Sequence, residues 1–108
     1  MKIPGSVRIG GVEYEVIDNA PSLNDGENLL LGRILYHENI IKISDIVQGH
    51  QMKCIVLWHE ILHGIRNHAG LAIENEEEVV DMFAKGLYQV LQDNGARLFD
   101  IERRDSEE

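Results

Sequence analysis

Apolar and polar positions alternate along the first part of the chain. Val7, Ile9, Val12, Tyr14 and Val16 are separated by polar residues, and Gly10-Gly11 falls between the two runs. A period of two marks a strand with one buried face, and a two-residue glycine turn between such runs predicts a β-hairpin. The segment Asn19 to Asn28 holds Pro21, Gly26 and three asparagines, and is expected to be a loop. Gly32 to Ser44 predicts a second strand pair. Ile34 and Tyr36 alternate with Arg33, Leu35 and His37, then Ile41 and Ile43 follow, and His37-Glu38-Asn39 supplies the turn. Together these runs predict a small antiparallel sheet of three or four strands, whose order the pattern leaves open.

The period then lengthens. Ile55, Trp58, Leu62, Ile65 and Ala69 recur at steps of three and four, which makes one apolar stripe on a helix from about Gln51 to about His68, closed by Gly70. A second helix, from about Glu74 to about Asp93, carries the stripe Val80, Phe83, Leu87, Val90 and Leu91. Glu76, Glu77 and Glu78 open it, where the helix dipole favours negative charge. The expected class is therefore α+β, a small sheet followed by two main helices. Residues 1–94 form one domain in this reading, and 95–108 a polar tail whose end, Glu102 to Glu108, is expected to fray.

Composition narrows the functional classes. A net charge of −9 repels phosphate backbones and anionic membranes, so neither nucleic acid nor a membrane surface is an expected partner. No apolar run is long enough to span a bilayer, and the start of the chain does not resemble a secretory signal. A single cysteine, Cys54, excludes an intrachain disulfide, and it is expected in the core. A cytoplasmic location follows as the expectation.

Chemistry enters with His59-Glu60-Ile61-Leu62-His63, an HExxH motif inside the first helix. Two histidines four residues apart share a helix face at about 6 Å along the axis, so both imidazoles can reach one zinc ion. Glu60 lies about 100° further round. It is therefore placed to take a proton from a zinc-bound water and to return it to a leaving amine, as the catalytic general base and acid of peptide hydrolysis. A catalytic zinc needs a third protein ligand. Helix phase disfavours Glu78 and leaves Glu76 and Glu77 open, the second sharing a face with Asp81. The remaining histidines, His37, His50 and His68, are expected on the surface. Tyr36 and His37, on the strand before the metal helix, are candidate oxyanion donors. Tyr88, about 16 Å along the axis from Glu77, suits the core better.

HEILH, followed after a short connector by the run Glu77 to Leu91, resembles small phage and prophage proteins related to the ImmA/IrrE-type metallopeptidases. Val7 to Val16 and Leu31 to Ile43 look like the same proteins, and the resemblance covers most of residues 3 to 94. It implies a minimal zincin-like fold, zinc as cofactor and a protein or peptide substrate in the cytoplasm of a bacterial host. Glu-zincins place their third ligand in an ExxxD pattern, which Glu77-Glu78-Val79-Val80-Asp81 fits. The resemblance thus implies a zinc ligand set of His59, His63 and Glu77, with Asp81 orienting a ligand histidine. Only thirteen residues separate His63 from Glu77, which implies little room for extra substrate-binding elements. The competing reading is a zinc-stabilised protein-binding module without turnover. Glu60 separates the two, because a silent module has no use for an acid there.

Overall fold

Gly10 and Gly11 adopt φ of 57° and 82°, as the two-residue turn requires. They join β1 (Ser6–Ile9) to β2 (Val12–Ala20) in an antiparallel hairpin. The computed structural model describes residues 1–99. A second antiparallel hairpin, β5 (Gly32–Leu35) and β6 (Ile40–Ser44), turns through Tyr36–Asn39, with Asn39 at φ 56°. The four strands form one sheet in the order β1-β2-β6-β5.

The sheet is mixed, not antiparallel throughout. β2 and β6 run parallel, with Val16 opposite Ile41 and Ala20 opposite Ser44. The more apolar strand of the second hairpin takes the centre, where Ile41 and Ile43 are fully buried, and β5 is left at the edge. Alternation specifies which face of a strand is buried but not the direction of its neighbour, so this pairing is invisible in the pattern. The expected loop at 19–28 also differs. β2 continues to Ala20, and β3 (Leu23–Asp25) and β4 (Asn28–Leu30) form a separate hairpin about Gly26. The register between β2 and β6 shifts between Ile17 and Ala20, where Asn19 has a positive φ. Lys53 Nζ clamps this irregularity, donating to Asn19 Oδ1 at 2.9 Å and pairing with Asp18 Oδ1 at 3.1 Å.

The helices follow as expected: α1 is His50–Ala69, ended by Gly70 in the left-handed conformation, and α2 is Glu76–Asn94. The tail begins with a short helix, α3 (Ala96–Phe99), and residues 100–108 lie outside the described residues. No helix among the described residues is long and apolar enough to cross a membrane.

Packing corrects both helix stripes. The row of α1 that faces the sheet is Val56, Leu57, Glu60 and Gly64, while Ile65 and Ala69 are exposed. In α2 the inner row is Val80, Ala84 and Tyr88, and Phe83 and Val90 remain 55% and 48% exposed. Small residues explain the difference: Gly64 and Ala84 let neighbouring elements approach closely but score weakly as apolar. A Cβ on Gly64 would lie 2.8 Å from Ile9 Cδ1 and 3.0 Å from Ile34 Cδ1. One on Gly32 would lie 2.6 Å from Val56 Cγ1 and 3.2 Å from Glu60 Oε2. Helix and edge strand are therefore pressed together on glycine. Beyond them, His68 covers the first hairpin, its ring occupying the space a side chain at Gly10 would need.

Gly64→Ala is expected to destabilise the fold by about 1–3 kcal/mol through overpacking. Gly86, whose Cβ would meet open space, is expected to gain up to about 1 kcal/mol on substitution by Ala. Urea denaturation of the two variants checks both; equal effects would refute the close approach at Gly64.

Candidate metal centre

His59 and His63 project from α1 toward the first turn of α2. Their Nε2 atoms lie 3.1 Å apart, and Glu77 Oε1 lies 2.5 Å from His59 Nε2 and 3.2 Å from His63 Nε2. Ligands of one tetrahedral zinc at about 2.0–2.1 Å lie roughly 3.3–3.4 Å from each other. Two edges of the triangle approach that spacing, and the third is shorter, at hydrogen-bond length. Two imidazoles and a carboxylate are a donor set that suits zinc. His59, His63 and Glu77 could therefore hold a metal ion, and they are the one such cluster found among the described residues.

The two acids that helix phase left open take different places. Glu76 and Glu77 are adjacent, so they diverge by about 100° around α2 and straddle His63. Glu77 meets the Nε2 side. Glu76 Oε2 accepts from His63 Nδ1 at 2.6 Å, and its other oxygen lies 2.9 Å from Arg66 Nε in an ion pair. A proton held on Nδ1 leaves the Nε2 lone pair facing the triangle, which sets the tautomer a metal ligand needs. Asp81, expected to orient a ligand histidine, stands 3.7 Å from His59 Nδ1, beyond direct hydrogen-bond reach, and Lys85 Nζ donates to it at 2.8 Å. The orienting role of Glu76 was missed because sequence spacing does not say which nitrogen an acid meets.

Electrostatics follow the geometry. The bond to His63 holds the Glu76 carboxyl below its ordinary pKa, against the opposing effect of burial and with help from Arg66. For Glu77 burial pushes upward, but the hydrogen bonds to His59 and His63 outweigh it and the net shift is down. Burial lowers the pKa of His63, yet Glu76 and Glu77 reverse that and raise it overall.

Glu60 behaves oppositely. It sits in the row of α1 that faces the sheet and is only 6% exposed. Burial raises its pKa, although His59, His63 and a hydrogen bond from the Ile34 backbone pull the other way. Among the described residues no lysine or arginine pairs with it. It lines a cleft of about 200 Å³ together with His59, Glu77 and Asp81. A buried carboxylate without a cation, opening on a cleft beside two histidines, is the arrangement expected of a functional acid or base.

The other candidates fall away from this centre. The Tyr36 hydroxyl donates to the His63 carbonyl at 3.1 Å and thus staples β5's turn to α1; burial raises its pKa. His37 is exposed, and Tyr88 is buried at 5% exposure. His50 contacts the Met1 carbonyl and stands 3.6 Å from the sulfur of Cys54, which is buried as expected.

Comparison with family models, curated proteins and solved structures finds no match.

Zinc affinity, measured by competition with a chromophoric chelator, is expected to fall most in Glu77→Ala and by about 10–100-fold in Glu76→Ala. Equal losses in the two variants would contradict the separation of ligand from orienting group.

Proposed function

We propose that this protein is a zinc-dependent metallopeptidase that hydrolyses peptide bonds in a protein or peptide substrate. The observation that carries the reading is Glu60, a buried carboxylate with no lysine or arginine partner among the described residues, in one cleft with His59 and Glu77. Burying a carboxylate without a counter-charge is costly, and a purely structural helix would favour an apolar residue in that row.

His59, His63 and Glu77 would hold the zinc. When bound it supplies Lewis acidity, easing deprotonation of water and polarising the scissile carbonyl. Glu60 takes the proton of the attacking water and passes it to the leaving amine. Burial raises its pKa, which makes it a better proton acceptor than an exposed carboxylate. Glu76, braced by Arg66, keeps His63 in the tautomer and orientation that the centre needs. The resemblance to ImmA/IrrE-type metallopeptidases supports the same reading, and with it a place in the cytoplasm of a bacterial host and a phage or prophage origin.

One observation favours a second reading, the zinc-stabilised binding module. Ile65, Leu71 and Phe83 are exposed apolar residues that line one groove formed by α1, α2 and their connection, as a protein-docking face would have. Glu60→Gln separates the two. The variant is expected to retain zinc and to lose cleavage of an unfolded protein such as casein by about 10²–10⁴-fold. Its metal-free stability at neutral pH is expected to equal or exceed that of the parent, since an amide replaces a buried charge. Cleavage at the parent's rate would remove Glu60 from the chemistry.

A further inference from the structure

The cleft that holds Glu60 has a second wall of different chemistry. Leu29 and Leu31 come from β4 and the link to β5, and Met52 and Ile55 from the first two turns of α1. Leu29, Leu31 and Met52 are among the exposed large apolar residues of the molecule, Leu29 at 61%. The sheet does not account for them: β3 and β4 lie outside it and pair only with each other. The short hairpin thus extends the cleft outward from the edge strand with apolar side chains.

Two acids that line the cleft are already engaged. Glu77 belongs to the proposed metal centre, and Asp81 pairs with Lys85 at 2.8 Å. A side chain entering here meets the leucine–methionine wall. The wall rewards removal of apolar surface from water, and it gives a carboxylate no partner to offset its burial.

We infer that this cleft selects the residue beside the scissile bond, taking a large aliphatic side chain and refusing an acidic one. The inference rests on the metallopeptidase reading and adds the substrate class to it. Its occupant is one side chain of an extended peptide, because the cleft of about 200 Å³ is continuous with His59 and Glu60 and is too small for a folded element.

Small hydroxamates test it without turnover, since they bind a zinc ion and carry a chosen side group. Calorimetry on the zinc-loaded protein would compare the hydroxamates of acetic, isocaproic and succinic acid. Isocaproic is expected to bind about tenfold to a hundredfold more tightly than acetic, as burial of one aliphatic side chain implies, and succinic more weakly than acetic. In Leu29→Asp the ratio of isocaproic to acetic affinity is expected to collapse toward one. Met52→Glu provides a second variant, in the first turn of α1 where the helix dipole accepts an acid. Equal binding of all three probes to the parent protein overturns this inference alone. Failure of all three to bind overturns the metal centre as well. A ratio that survives both variants places the selective contact elsewhere and overturns the assignment of the wall.

Discussion

Everything at the centre depends on how closely α1 lies against the edge strand β5. The helix presents Gly64 to Ile9 and Ile34, and the strand presents Gly32 to Val56 and Glu60. A Cβ at either glycine would press on these side chains at 2.6–3.2 Å, so the packing of helix against strand would have to shift. Their contact draws Glu60 out of water and turns it under the edge of the sheet, where burial raises its pKa. The same rotation fixes His59 and His63 on the adjoining row of the helix, facing α2. One packing constraint therefore sets both the state of the acid and the direction of the imidazoles.

The second helix completes the arrangement with its first turn. Two consecutive acids diverge around the helix and grip His63 from its two nitrogens, Glu76 at Nδ1 and Glu77 at Nε2. The amino end of α2 eases the crowding of negative charge there, because its free backbone N–H groups and dipole favour anions. Arg66, one turn beyond His63 on α1, pairs with the outer oxygen of Glu76. Glu76, Glu77 and His63 thus each have a charged or polar partner, whereas Glu60 has no lysine or arginine partner among the described residues. A carboxylate left without such a partner in a cleft is available to a proton.

Much of this was legible in the residues. Gly10-Gly11 between alternating runs marked the first hairpin, Gly70 marked the end of α1, and the four-residue spacing of His59 and His63 put both on one face. Glu77 was reached through a resemblance, not through helix phase. What stayed hidden has physical causes. The parallel pairing of β2 and β6 is not written in alternation, because neighbouring strands of either direction bury the same face. β3 and β4 lay in a stretch of Asn, Pro and Gly whose composition marks turns and does not exclude the short strands between them. The sheet-facing row of α1 passes through a glutamate and a glycine, so an apolar count could not find it. Phe83 and Val90 were assigned to the core because hydrophobicity counts both sides of the true inner row alike, and only Ala84 shows where the helices meet.

The proposed function stands or falls with a metal ion on His59, His63 and Glu77. X-ray absorption at the zinc edge, on protein dialysed to equilibrium with zinc, tests it most directly. One zinc per chain is expected, with only nitrogen and oxygen ligands at about 2.0–2.2 Å, two of them imidazoles. A sulfur scatterer at about 2.3 Å, which would place the ion on Cys54, or protein that leaves dialysis without stoichiometric zinc, would contradict it.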